Sequence, residues 1–203
     1  RPLNTQYGAS ILQLFGYQTV VWHSGSIPSF NLVDEDAYAL SSFLVGGSVT
    51  GHRFWGTGDG LARSLATENE PTTVAFLNGV LGVRYTCDTI RSAACPAAST
   101  LDSTFCLPLA NVAGAEFSAA APGSLRGNGC PALRSYDLLQ RDTSTPTTRG
   151  QLDYLKNGAA TSFASVTHRY SGTLEFRTVL DGFANGALRD LGANPHLPAS
   201  CAG

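Results

Sequence analysis

The chain has 203 residues, of which 43% are hydrophobic and 14% charged, with a net charge of −2. The charged share lies well under the roughly 25% of an average soluble domain, and near-neutrality gives no electrostatic footing for nucleic acid or an anionic membrane surface. No apolar run approaches the roughly 18 residues of a membrane span, and the length suits one domain with a full core.

Taken in chain order, Asn4 to Phe15 reads as a helix. Asn4 or Thr5 caps it, and Tyr7, Ile11, Leu14 and Phe15 share one face. Gln18 to His23 follows as a short, nearly continuous apolar strand of the kind buried in a parallel sheet. Asp34 is placed to cap a second helix over Glu35 to Leu44, which Gly46 and Gly47 stop. His52 to Gly56 is the next strand, Thr57 to Gly60 a tight turn, and Leu61 to Ala66 a helix. Pro71 opens a further helix to Leu81, closed by Gly82.

This alternation predicts an α/β fold, a doubly wound and mostly parallel sheet. The stretch 83–149 differs. It holds Pro96, Pro108, Pro122 and Pro131, with short strand-like pieces at Thr104 to Leu109 and Leu133 to Leu139, and a polar loop from Asp142 to Arg149. It reads as an inserted, irregular, disulfide-tied lobe in a single domain over 1–203 whose core is 1–82 and 150–203. Strands are expected again at Thr161 to Tyr170 and Thr173 to Val179, with a last helix from Gly182 to Leu191. A doubly wound domain ordinarily opens with a central strand. This chain opens with a helix and holds no Met. The expectation is a piece of a longer polypeptide, its central strand supplied upstream of Arg1 or by another chain.

Four cysteines, Cys87, Cys95, Cys106 and Cys130, fall in the lobe, and Cys201 is the odd one. Their spacings match no zinc pattern. Local disulfides suit an oxidising compartment, so a secreted or cell-surface location is expected. Cys87–Cys95 with Cys106–Cys130 is the preferred pairing of three.

The sharpest motif is Phe54-Trp-Gly-Thr-Gly-Asp-Gly-Leu-Ala62, a strand, a glycine-rich turn and a helix. No Gly-Lys-Ser/Thr follows, so it is not a phosphate loop. Gly56, Gly58 and Gly60 are too evenly spaced for a dinucleotide fingerprint. The turn offers backbone N–H groups at a helix start, which suit a carboxylate or other anion. Asp59, capping the same helix, would repel one, and the glycines also serve simply to turn the chain. His23 and Ser24 end the neighbouring strand, where open α/β sheets hold ligands. His23, Ser24, Thr57, Gly58, Asp59 and Gly60 are therefore the candidate ligand-binding residues. Ser24 and His23 are adjacent on a strand and point to opposite faces, which speaks against a catalytic triad.

This turn resembles the nucleophile elbow of the class I glutamine amidotransferase-like superfamily, in which Gly, an apolar residue, Cys, any residue and Gly lead into a helix. Gly56, Thr57, Gly58, Asp59 and Gly60 fill those positions. Val20-Val-Trp-His-Ser-Gly25 and Asp34-Glu-Asp-Ala37 look like the flanks of such domains in large secreted bacterial proteins. The resemblance covers 1–82 and returns at 161–192. It implies a flavodoxin-like scaffold. It also implies a pseudoenzyme, because Gly58 stands where the family holds cysteine and no catalytic residue is assigned.

His168, late in the chain like the family's histidine, lacks the acidic partner and reads as an exposed structural residue. His52 and His196 have no partner in view. Asp34, Glu35 and Asp36 read as a cap and dipole complement rather than a calcium site. The turn Gly127 to Pro131 carries Cys130 as a disulfide half. No metal or cofactor is expected. The reading is a non-catalytic extracellular module with a structural, assembly or interaction role. Its partners would be other segments or chains of a larger polypeptide, including self-assembly. The alternatives are a hydrolase using the crevice near His23 and Asp59, and a domain binding a small anion or sugar at Thr57–Gly60.

Overall fold

The computed structural model describes residues 9–25, 27, 29–46, 51–68, 70–88, 95, 107–112, 125–127, 136–154, 162–185 and 188–190. The elements are α1 (Ile11–Leu14), β1 (Thr19–His23), α2 (Asp34–Val45), β2 (His52–Thr57), α3 (Leu61–Thr67) and α4 (Pro71–Ala75), which runs into a π-helical turn at Phe76–Val80. Nine further strands complete the sheets among the described residues: β3 (Val83–Cys87), β4 (Leu107–Asn111), β5 (Leu125–Gly127), β6 (Leu138–Arg141), β7 (Thr148–Tyr154), β8 (Ser162–Phe163), β9 (Ser165–Tyr170), β10 (Phe176–Asp181) and β11 (Leu188–Asp190).

The fold is α/β, with a main sheet in the order β1-β2-β10-β9-β7-β4-β5-β11 and a second sheet β3-β6-β8. Only β1, β2 and β10 run parallel. From β9 onward each strand is antiparallel to its neighbour, so the sheet is mixed rather than mostly parallel. Within the parallel part, α2 lies between β1 and β2. β9 and β10 are joined by the short turn 171–175, without the crossover helix that parallel neighbours require.

Several expectations shift. The first helix is described only over Ile11–Leu14. Ser10 caps it, its hydroxyl accepting from Gln13 N while the Gln13 side chain accepts from Ser10 N. The Asn4 and Thr5 caps lie outside the described residues. Asp34 does not cap its own helix. Its Oδ1 accepts from Thr73 N (3.0 Å) and so caps α4, while Asp36 accepts from Val33 N. The expected helix at Gly182 to Leu191 is not formed, since Leu188–Asp190 is a strand paired with β5. The polar run Asp142 to Arg149 is a loop that already enters β7 at Thr148. Within 83–149, β3 and β6 build the second sheet and β4 joins the main one beside β7. Cys87 and Cys95 form a disulfide with Cα atoms 5.6 Å apart. Cys106, Cys130, Cys201 and His196 lie outside the described residues.

One face of the main sheet forms the core. Phe54, Val166, Phe176 and Leu180 pack under Leu40, Phe43 and Leu44 of α2, Leu61 and Leu65 of α3, and Phe76 and Leu77 of the α4 segment. Each such side chain withdrawn from water contributes about 1.5–3 kcal/mol. Strand alternation sends Thr19, Val21, His23, Arg53, Trp55, Arg169 and Arg177 to the other face, where they are exposed. A doubly wound sheet covers both faces with helices. Among the described residues the helices pack on one.

Candidate functional site

The ends of β1, β2 and β10 meet at the glycine-rich turn, so the structure brings most of the sequence-predicted site residues together. Ser24 N donates to Thr57 O (3.0 Å) and Asp59 N to Gly25 O (2.7 Å), lacing β1 to the turn. Gly58 N donates to Phe183 O (3.1 Å), just past β10. Thr57 Oγ1 donates to the same carbonyl (2.8 Å) and accepts from Asn185 N (3.0 Å). Ser24, Thr57, Gly58, Asp59 and Gly60 are buried, whereas His23, in register with Thr57, is exposed.

Gly58 is tightly covered. A Cβ there would fall 1.6 Å from Ser24 Oγ and 2.9 Å from Ser24 Cβ. The Ser24 hydroxyl thus fills the space that any side chain at this position would occupy. That hydroxyl is buried and without a hydrogen-bond partner. The backbone donors of Gly58 and Asp59, which an oxyanion or small anion would require, already serve Phe183 and Gly25.

The start of α3 does hold a carboxylate, one supplied by the chain itself. Gly60, the N-cap, has no side chain to offer. Asp137, just before β6, accepts from Arg63 N through Oδ2 (3.1 Å), satisfying an otherwise orphaned helix donor. Asp137 reaches this position because its backbone N donates to Gly182 O (2.7 Å). At Gly182 a Cβ would lie 2.2 Å from Asp137 O, so only glycine allows the two backbones to cross this closely.

Sequence reasoning missed the carboxylate at the end of β10. Asp181 is buried and pairs in register with Thr57. Its Oδ2 accepts from Trp55 Nε1 (2.6 Å) and Asn185 Nδ2 (2.9 Å), and its Oδ1 from Ser165 Oγ (2.6 Å). Burial pushes its pKa up to about 6, against the lowering effect of the Ser165, Trp55 and Asn185 donors. The available signal was Val179-Leu-Asp-Gly182, an apolar strand ending in an acid and a turn residue at the edge where α/β sheets place polar groups. Beneath it, Tyr154 is fully enclosed. Its hydroxyl donates to Asp137 O (3.2 Å) and its ring meets Tyr136 edge-on at 6.0 Å. Burial raises the Tyr154 pKa well above the ordinary tyrosine value, reinforced by the charges of Asp137, Asp181 and Asp59.

The two described histidines of the core also differ from expectation. His168 is buried rather than exposed, because its position on β9 faces the helices. Its Nδ1 lies 2.7 Å from Val80 O at the end of the π-helical turn, and its ring meets Phe176 edge-on. Burial lowers its pKa, partly offset by that hydrogen bond. His52 stacks on Phe43 at 4.2 Å, with Nδ1 2.5 Å from Phe43 O. Among the described residues no group of three His, Cys, Asp or Glu is arranged to hold a metal ion, and no helix is long and apolar enough to cross a membrane. No family model, curated protein or solved structure matches the chain.

Proposed function

We propose that this chain is a non-catalytic extracellular module, an amidotransferase-like, doubly wound scaffold with a structural, assembly or interaction role within a larger secreted polypeptide. The observation that carries the reading is the closed turn at Thr57–Gly60. Ser24 fills the side-chain space at position 58, and the N–H groups of Gly58 and Asp59 are spent on Phe183 and Gly25. A hydrolase or an anion- or sugar-binding crevice near His23 and Asp59 would need an open cleft there, whereas Asp59 is 2% exposed.

Two further observations fit. The Cys87–Cys95 disulfide suits an oxidising compartment. The sheet face bearing Val21, Trp55, Arg53, Arg169 and Arg177 is left open by the described helices, as in a scaffold whose second layer comes from partner segments. The test is a screen of the purified chain against amide, ester and glutamine substrates, with serine- and cysteine-directed covalent probes read by intact mass. No turnover and no labelling at residues 23–25 or 57–60 is expected. Turnover abolished by Ser24→Ala or Asp59→Asn would overturn the reading.

A further inference from the structure

We propose that the outer edge of β1 is a self-pairing site, at which two copies of this chain join antiparallel across a two-fold axis through Val21. The inference deepens the reading of the chain as an assembly module and rests on it.

β1 ends the main sheet and pairs only with β2 among the described strands. Residue 18 accepts from Arg53 N and residue 24 donates to Thr57 O. In a parallel pair, alternate residues turn both backbone groups to the same neighbour. Gln18, Val20, Trp22 and Ser24 therefore face β2, and the N–H and C=O groups of Thr19, Val21 and His23 point outward.

Exposed strand edges are normally protected by charge, proline or a bulge. The segment Thr19-Val-Val-Trp-His23 contains no proline, lysine, arginine or carboxylate, and its register with β2 is unbroken. The flanking chain is apolar as well. Leu12 and Tyr17 before the strand, Val21 within it, and Ile27 and Phe30 after it are each more than half exposed. Phe30 adopts a left-handed backbone conformation (φ 52) that bulky residues rarely take. Its N–H donates to Glu68 Oε1 at 2.5 Å, which holds it there.

A second copy fits this edge. With the axis through Val21, Thr19 faces His23 of the other copy and Val21 faces its own counterpart. These are the hydrogen-bonded positions of an antiparallel ladder, so every outward group of Thr19, Val21 and His23 is satisfied. Val20 then lies across from Trp22 on the core side, a favourable β-branched and aromatic pair. On the open face, Val21 continues the row begun by Trp55, its register partner. No like charges meet along the edge. Large side chains of this exposure offer on the order of 500 Å² per copy, or about 1,000 Å² in total, the threshold of a specific interface.

The experiment is sedimentation equilibrium of the whole chain over a wide concentration range, with amide hydrogen exchange in parallel. The expected result is a species of twice the 21.3 kDa chain mass, with slowed exchange at Thr19, Val21 and His23. Val21→Lys places like charges across the axis, and Val21→Pro removes only an outward N–H, which an edge strand tolerates. Each should weaken dimerisation by on the order of 100-fold or more, with an unchanged circular dichroism spectrum. A monomer at all concentrations overturns the proposal, whether its β1 amides exchange fast or are covered by a segment of the same chain. So does a dimer indifferent to both substitutions. Neither result bears on the closed turn, and turnover at that turn would leave the pairing untouched.

Discussion

Replacing Asp181 with Asn changes one buried charge and little else. The Asn carbonyl can accept from Trp55 and Asn185 where Oδ2 does now, and its amide can face Ser165 Oγ, which rotates to accept. The folded carboxyl titrates at about 6, against 3.8 for the free side chain. Between those values the native state holds a proton that the unfolded chain has released. Stability through this group therefore increases as pH falls from 6 toward 4 and is lost as pH rises. Two pKa units correspond to about 3 kcal/mol. Asp181→Asn, which mimics the protonated side chain, should be about 3 kcal/mol more stable than the wild type at pH 7 and nearly equal to it at pH 4. Urea unfolding followed by circular dichroism at half-unit pH steps measures that difference directly. Comparing the two proteins removes opposing groups such as His168. A difference that stays flat from pH 7 to pH 4 would mean that the three donors outweigh burial, and the argument would fail.

Other substitutions test the remaining joints. Gly58→Cys, which places a thiol at the position where the proposed amidotransferase-like elbow would carry one, should produce no amidase activity and lose about 1–3 kcal/mol by overpacking against Ser24. Ser24→Gly in the same chain should recover much of the loss, a coupling that urea titration of the double mutant reads. His168 has a lowered pKa in the fold, so the unfolded chain takes up its proton first as pH drops below 6.5 and stability is lost there. An NMR titration should place this imidazole below the ordinary histidine value, and a midpoint at or above 6.5 would contradict its burial. Replacing Cys87 and Cys95 with Ser should cost about 2.5 kcal/mol for so short a loop, measured as the shift in urea midpoint relative to the oxidised chain.

The helical half of the fold was legible because its signals are local. Pro71 opening a helix, Gly82 closing one, and the spacing of Leu40, Phe43 and Leu44 each depend on near neighbours in sequence. The closing strands were harder. Leu188–Asp190 has helix-compatible residues and is a strand because β5 is beside it, a tertiary override of weak propensity. Asp142 to Arg149 looked like a loop because Thr and Arg carry no apolar alternation, yet Thr148 begins β7. At the site, the convergence of residues 23–25 and 57–60 followed from strand-end placement. That Ser24 would fill position 58, that Asp137 would cap α3, and that Asp181 would lie beneath Trp55 could not be seen. Each depends on a contact between segments far apart in the chain.

The position of β10 has a consequence for how the molecule is made. This strand is inserted between β2 and β9, and Thr57 is tied to Phe183 and Asn185 across more than half the chain. Until residues 176–185 leave the ribosome, β2 has a bare flank and the helices above it have only half a floor. Such long-range closure is slow, and the waiting N-terminal strands are vulnerable to wrong pairing in the interval. The first third of the chain should therefore behave as a dependent fragment, acquiring its native packing only when the last strands arrive.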